Sequence, residues 1–433
     1  MIFKRMREQI LDKAIRGQLL PQLQEEGVVE QIGDAPSEVP FDIPSSWKWV
    51  YLKTIVCPTQ QKVPDKDFTY IDVSCIASFL VDQPKLLSAD KAPSRARKIV
   101  HPGMILYATV RPYLKNICIA PEIQGDVIAS TAFATFECKK SISNRYLFYV
   151  LISDYMSSYA KSVQKGISYP AINDNDFYKT LIPLPPLAEQ KRIAAKIESL
   201  FSEINRAEKA YEELQSLANV LRCQILQKAI QGKLVPQLHD DGVVEQIGDL
   251  PAELPFEIPD SWKWGLLENY VTINPSASKL DDNTEVSFLP MASVHPGFVN
   301  NFDREESKLW ANAKKGFSKF ANGDVLIAKI SPCFENRKSC IVRDLINGFG
   351  AGSTELITMR PTDLIYAEYL LWYVKTKYVI DYCSSTFKGT VGQQRINPDR
   401  FKSMPIPVPP LAEQKRIVAK IEALFEQIDL MTK

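Results

Sequence analysis

The sequence predicts an α+β protein with two tandem mixed α/β domains, separated by a long antiparallel coiled coil in a circularly permuted, pseudo-twofold repeat. Three observations carry this expectation. Residues 6–52 recur at 221–267 with a constant offset of 215 and 31 identities in 47 positions. Residues 182–205 recur at 406–429 with an offset of 224 and 18 identities in 24. Finally, Ile193, Ile197, Leu200, Ile204, Ala207, Tyr211, Leu214, Ala218, Leu221 and Ile225 are spaced 4, 3, 4, 3 without a break, the a/d seam of a coiled coil. Self-similarity at a fixed offset is the signature of a duplicated unit.

The elements follow in order. Residues 1–45 hold a first helix, with Phe3, Met6 and Ile10 in the seam register, and a proline-rich collar. Residues 46–181 form a first divergent domain. Residues 182–260 carry the central helix and a second collar, and the helix is bounded by Pro185-Pro186 and by Gly232 and Pro236, which are stop signals. From Leu187 to Gly232 such a helix would be roughly 70 Å long at 1.5 Å per residue. Residues 261–405 form a second divergent domain. Residues 406–433 repeat the front of the central helix, with Ile417, Ile421, Leu424 and Ile428 in the same register. The terminal helices are therefore expected to lie antiparallel to the central one, holding two like domains about a twofold axis, the geometry that reads two half-sites on a duplex.

Between the repeats the domains differ but keep an outline. Gly103-Met-Ile-Leu-Tyr-Ala aligns with Gly323-Asp-Val-Leu-Ile-Ala, and both read as buried strands. Arg111-Pro112 aligns with Ser331-Pro332, Ser130-Thr131 with Ser353-Thr354, and Lys165-Gly166 with Lys388-Gly389. Arg145–Lys161 and Ala367–Asp381 read as helices. Trp47, Trp49, Trp262 and Trp264 in the collars read as packing anchors. The repeated phrase GVVEQIGD reads as a short helix or turn.

Composition excludes other classes. At 433 residues, two or three domains are expected. No run approaches 18 apolar residues, and the charged N-terminal stretch has no apolar signal core, so neither a membrane span nor secretion is expected, and the cytoplasm is the expected location. The eight cysteines show no CxxC and read as reduced thiols, and the three histidines do not pair at helical spacing, so no metal site is expected.

The block PLPPLAEQKRI-AKIE-LF, repeated as PVPPLAEQKRI-AKIE-LF, and ILQKAIQGKLVPQL between the copies resemble the specificity subunits of Type I restriction–modification systems, as do GDVLIAKISPCFENRKSCIV and GSTELITMRP. The resemblance covers essentially the whole chain, although in that family the first domain often starts nearer the N-terminus. It implies a subunit without catalytic activity, in which 46–181 and 261–405 are target-recognition domains, each reading one half of a split DNA target. It also implies helices that dock two adenine-methylating modification subunits, joined by a restriction motor subunit. S-adenosylmethionine and ATP would then bind the partners, and this chain would need no cofactor. The residues agree. No GxxxxGK[ST] loop and no Asn/Asp-Pro-Pro-aromatic methyltransferase motif occurs. Cys333, beside Pro332, reads as structural, since Arg111-Pro112-Tyr113 stands at the matching place.

Charge points the same way. Net charge is +1, yet residues 50–181 hold 16 Lys and Arg against 11 Asp and Glu, residues 265–405 hold 17 against 15, and the remainder holds 19 against 25. Basic domains suit DNA and an acidic scaffold suits protein partners. Phosphate contacts are expected from Arg95, Arg97 and Lys98, and from Lys314 and Lys315. Base readers are expected on the glycine loops, where planar polar side chains can approach base edges: Lys165, Ser168 and Tyr169 in the first domain, and Lys388, Thr390, Gln393, Gln394 and Arg395 in the second. Strand-end positions Arg111, Tyr113 and Lys115, and Lys329, Arg337 and Lys338, are second candidates. The bland reading of each loop is packing against its own domain core. Unlike loops predict an asymmetric target. Three other readings stay open at this point: a modification-only or phage-defence complex, a non-catalytic scaffold for RNA or peptides, and a methyltransferase with an unrecognised cofactor site.

Overall fold

The computed structural model describes residues 2–166, 168–251, 254–276, 279–304, 306–390 and 393–432. The chain divides into two compact units, Met1–Ala210 and Tyr211–Lys433. Each unit combines strands and helices and repeats one plan.

In the first unit the helix Ile2–Ile15 ends at Gly17. Gly17 stands at φ +70°, and the Gln18 amide donates to the Lys13 carbonyl. This is a Schellman ending, which uses a left-handed residue that glycine supplies without a Cβ penalty. A collar strand, Lys48–Tyr51, pairs antiparallel with Leu181–Leu184, with Trp49 opposite Pro183. The strand that opens the domain is therefore zipped to the one that closes it. Between them lie two four-stranded sheets. The first runs Val56–Pro58, Phe133–Cys138, Ile105–Ala108, Ile117–Ile119, all antiparallel. The second runs Lys85–Leu87, Phe68–Ile71, Val127–Ser130, Ala96–Ile99, with one parallel pair in its centre. Helices Asn144–Ile152 and Asp154–Val163 complete the domain.

The second unit repeats this order. Lys263–Leu266 zips to Pro405–Val408. One sheet is Val271–Ile273, Leu356–Pro361, Val325–Ala328, Ser339–Ile341. The other is Ser307–Leu309, Glu285–Leu289, Phe349–Gly352, Ser318–Ala321, again with one parallel pair. Matching order in the three larger sheets of each unit, under divergent sequence, is the outcome expected when one fold is copied and its surface drifts; the hairpin Ile76–Ala77 with Leu80–Val81 is an addition of the first unit.

The repeated blocks explain how each domain is fixed to its helices. Glu189, only 1% exposed, accepts from Trp47 Nε1 at 2.8 Å and from Gln22 Nε2 at 2.7 Å. Glu413 accepts from Trp262 Nε1 at 2.9 Å and Gln237 Nε2 at 2.6 Å. Burial pushes both carboxyls above their ordinary range, while these donors pull them back down. The neighbouring Gln190 accepts from the Ser143 amide and donates to the Ser141 and Pro185 carbonyls, and Gln414 does the same with Tyr366, Leu364 and Pro409. Arg192 pairs with Glu26 at 2.5 Å, and Arg416 with Asp241. The motif Leu-Ala-Glu-Gln-Lys-Arg is thus a clamp holding collar, domain and helix together.

GVVEQIGD is neither helix nor turn. It is an extended strap: the Val29 amide donates to the Ser46 carbonyl at 2.9 Å and Gln31 Nε2 to the Trp49 carbonyl at 3.1 Å, with Val244 and Gln246 doing the same to Ser261 and Trp264.

The central helix runs Leu187–Ile230, 44 residues. In the first unit Arg7 donates to Asn205 and Glu208, while Gln22 reaches Glu189. In the second, Gln215 donates to the Thr432 carbonyl and Arg222 pairs with Asp429. In both units the helices therefore run antiparallel. The continuous seam is corrected. Ile193, Ile197, Ile204, Ala218, Ile225, Ile417, Ile421 and Ile428 are buried, but Leu200 and Leu424 are only half-buried, and Met6 and Ala207 are exposed. Tyr211, Leu214 and Leu221 are 43%, 40% and 41% exposed. Ala194, Leu226, Ala229, Ile230 and Phe425 are buried outside the predicted register. Each half of the helix turns its apolar face both to its own antiparallel terminal helix and to its own domain core, so the heptad positions are buried together with a wider stripe beside them.

Candidate nucleic-acid interface

In the first unit the strand Ile105–Ala108 runs on through Thr109 and Val110 to Arg111, at φ +50°. The glycine loop returns beside it. Lys165 and Val110 both bridge to Ala171, the Arg111 amide donates to the Pro170 carbonyl at 2.7 Å, and the Ile172 amide donates to Thr109 at 2.9 Å. This frame places the Arg111 guanidinium over the Tyr169 ring at 4.7 Å. Tyr113, on the turn Pro112–Leu114, is 60% exposed and Tyr169 is 69% exposed, with Lys165 and Ser168 also exposed. Two loops distant in sequence thus form one surface of stacked cation, aromatic rings and polar groups.

The second unit builds the same frame with different side chains. Ile330 and Lys388 both bridge to Arg395, the Ser331 amide donates to the Gln394 carbonyl at 2.8 Å, and the Ile396 amide donates to Lys329 at 3.0 Å. Lys388, Thr390 and Gln393 are exposed, while Lys329, Ser331 and Gln394 are half-buried. Val391 and Gly392 of this loop, and Ile167 of the first, lie outside the described residues. Arg395 is not free. Its Nε and a terminal nitrogen reach Glu355 at 3.0 and 2.8 Å, and this contact holds the Glu355 carboxyl below its usual range. Sequence reasoning missed Glu355. The available signal was a carboxylate two residues beyond Ser353, where the first domain carries Ala132.

Several candidates serve the fold instead. Lys98 is buried and its Nζ lies 3.7 Å from Asp174, so it offers no phosphate contact. Lys115 Nζ donates to the Ile152 carbonyl at 2.9 Å and to Asp154 at 3.1 Å. Arg337 Nε donates to the Lys375 carbonyl at 2.9 Å, and its guanidinium covers the Phe298 ring. Both residues stand at positive φ before a strand and cap the carboxyl end of a domain helix, where unpaired carbonyls attract cations. Lys338 donates to the Met291 carbonyl at 3.0 Å. Lys314 is held at 2.7 Å by Asp282, leaving Lys315 the freer of that pair. Arg95 is exposed, and Arg97 is half-buried, donating to the Ala96 carbonyl. Among the described residues, no group of three or more His, Cys, Asp or Glu is placed to hold a metal, and no helix is long and apolar enough to cross a membrane.

A repeated mixed domain bound to a repeated helical clamp, with the variable surface at one strand end, defines a modular protein of two like domains. The family description "Type I restriction modification DNA specificity domain" matches residues 90–215 and 270–433, more than half of the chain. The chain belongs to that family. It is 39% identical over 234 residues to the Type I restriction enzyme EcoAI specificity subunit of Escherichia coli, covering 48% of this chain and 40% of that protein. It is 36% identical over 237 residues to the EcoEI specificity subunit of the same species, with the same coverage. The match thus spans about 40% of the length of these curated relatives. Among solved structures, a chain described as "Structural basis underlying complex assembly and conformational transition of the type I R-M system" shares a TM-score of 0.71 at 27% identity, covering 91% of this chain and 93% of that one. The HsdS subunit from Thermoanaerobacter tengcongensis gives 0.57 at 27% identity, with the same coverage.

Proposed function

We propose that the chain is the non-catalytic DNA-specificity subunit of a Type I restriction–modification complex in the cytoplasm. Each domain reads one half of an asymmetric, split duplex target. The helices dock two modification subunits, which bind S-adenosylmethionine and methylate adenine, and a restriction motor subunit that uses ATP joins them. One observation carries this reading: the two units share one backbone frame at the strand end and glycine loop, but Arg111, Tyr113 and Tyr169 stand in one where Ser331, Cys333 and Gln393 stand in the other. A constant frame with variable planar and polar side chains suits base-edge readout. The net basic charge of both domains supplies the sequence-independent attraction to phosphate.

The test is single-molecule sequencing of adenine methylation in cells carrying the modification subunit, with and without this chain. A split, asymmetric motif methylated only when the chain is present is the expected result. A palindromic motif, or methylation independent of the chain, would overturn the reading.

A further inference from the structure

The frame that joins strand end to glycine loop carries a charged pair in the second unit and two alanines in the first. The backbone fixes the comparison. The Thr109 amide donates to the Ala132 carbonyl at 2.9 Å, and the Lys329 amide to the Glu355 carbonyl at 2.8 Å. Lys165 bridges to Ala171, and Lys388 to Arg395. Glu355 and Arg395 therefore stand where the first unit has Ala132 and Ala171, and Lys329 stands in the place of buried Thr109.

Stability does not explain the pair. The first unit closes the same backbone bonds with alanine at both places. The Arg395 and Glu355 side chains are 45% and 24% exposed, and an ion pair so open to water adds little to folding. A carboxylate on a surface that faces DNA also repels phosphate. What the pair does supply is direction. Glu355 accepts from Arg395 Nε at 3.0 Å and from one terminal nitrogen at 2.8 Å, while the other terminal nitrogen donates to the Gln393 carbonyl at 3.2 Å. The contact with Arg395, helped by the charge of Lys329, holds the carboxyl below its usual range, so the pair stays charged at neutral pH. A guanidinium has five N–H donors in one rigid plane. With these contacts made, one donor on each terminal nitrogen stays free. Two coplanar donors match the O6 and N7 acceptors of guanine in the major groove, where adenine and cytosine present an amino group instead.

We infer that Glu355 is a positioning residue that aims Arg395 at one guanine in the half-site read by the second unit. This rests on the function proposed above and deepens it. A mobile arginine loses rotamer freedom when it binds, whereas one already held by Glu355 and the Gln393 carbonyl has lost it on folding. Because the first unit lacks both residues, the effect is confined to one half of the target.

The experiment is selection from a library of randomised duplexes by the full chain with its modification subunit bound, followed by sequencing of the retained pool. The wild-type chain is expected to enrich guanine at one position of one half-site, about tenfold or more over the other bases. Arg395→Ala should abolish that enrichment. Glu355→Gln, which keeps the shape and removes the charge, should cut it about threefold or more. Both should leave the other half-site and the thermal midpoint unchanged. In an Arg395→Ala background Glu355→Gln should add nothing, because the carboxylate acts only through that arginine. Guanine enrichment unchanged by Glu355→Gln would overturn the positioning role, as would a motif in which Arg395→Ala alters no guanine. Changes in both half-sites, or a lowered thermal midpoint, would mark the pair as structural and overturn it as well. A wild-type chain that enriches no sequence would instead sink the function proposed above.

Discussion

Gly232 closes the central helix at φ +69°, and a Cβ built there would lie 2.3 Å from Pro259 Cγ, 2.6 Å from Pro259 Cδ and 3.3 Å from Trp262 Cζ2. Gly242 stands at a similar φ of +77°, but a Cβ there meets nothing within 4 Å. The pair separates backbone strain from crowding. Gly242 has ψ −166°, outside the left-handed helical basin and in a region that essentially only glycine occupies, so Gly242→Ala costs about 1–3 kcal/mol from the backbone alone. In Gly232→Ala a left-handed strain of about 1 kcal/mol is joined by a clash with a proline ring that cannot swing aside, because Pro259 precedes a tryptophan pinned to Glu413. Forced repacking of this kind costs about 1–3 kcal/mol more, so the total is about 3 kcal/mol. At roughly 2–4 °C per kcal/mol for a unit of this size, the thermal midpoint of the second unit should fall by about 9 °C in Gly232→Ala and about 6 °C in Gly242→Ala. Differential scanning calorimetry resolves the two. Gly17→Ala, whose Cβ would lie 2.3 Å from Pro44 Cγ, should act on the first unit as Gly232→Ala does on the second. A fall of no more than about 3 °C in Gly232→Ala, the share of the left-handed strain alone, would refute the view that the collar packs on the helix end.

Two further predictions concern pH and the reading surface. Lys375 is fully buried and donates to the Gly297 and Arg337 carbonyls, and burial lowers its pKa to about 7. Its folded pKa lies below the unfolded value of 10.5, so the unfolded chain binds more protons between the two, and stability rises with pH across about 7 to 10.5. Lys375→Met should flatten that rise, measured as thermal midpoint against pH, and an unchanged slope would count against a buried neutral amine. Arg111→Ala should weaken cognate duplex binding about tenfold or more, the loss expected for a base-reading arginine, and relax only one half of the target, whereas Lys115→Ala should lower stability and leave the selected sequence unchanged. A changed motif with Lys115→Ala, from oligonucleotide selection, would restore that residue as a reader.

The repeat made much of this legible. Topology and duplication were readable because identical blocks can serve only one structural purpose twice. The side chains at the strand ends were harder. Arg111 and Tyr169 were visible as residue types, but their stacking at 4.7 Å needs loops 58 residues apart to meet, and nothing local encodes that meeting. Lys115 and Arg337 misled for a related reason. A cation near a strand end looks the same in sequence whether it faces solvent or the end of a helix, and only the positive φ of both residues turns them inward.

The seam shows where periodicity stops being evidence of a partner. A 4, 3, 4, 3 pattern marks an apolar stripe, and a stripe needs cover, but the pattern does not say what provides it. Here the front half of the central helix buries Ile193 and Ile197 with Leu11, Ile15, Tyr146 and Val150, and the back half buries Ile225, Leu226 and Ile230 with Tyr369, Ile417 and Ile421. Each half is therefore covered by a helix and a domain together. Covering from two sides widens the buried stripe beyond a two-residue heptad seam, which accounts for burial of Ala194, Leu226 and Ala229. It also leaves Leu214 and Leu221 exposed within the chain, apolar and in seam register, at the middle of the longest helix.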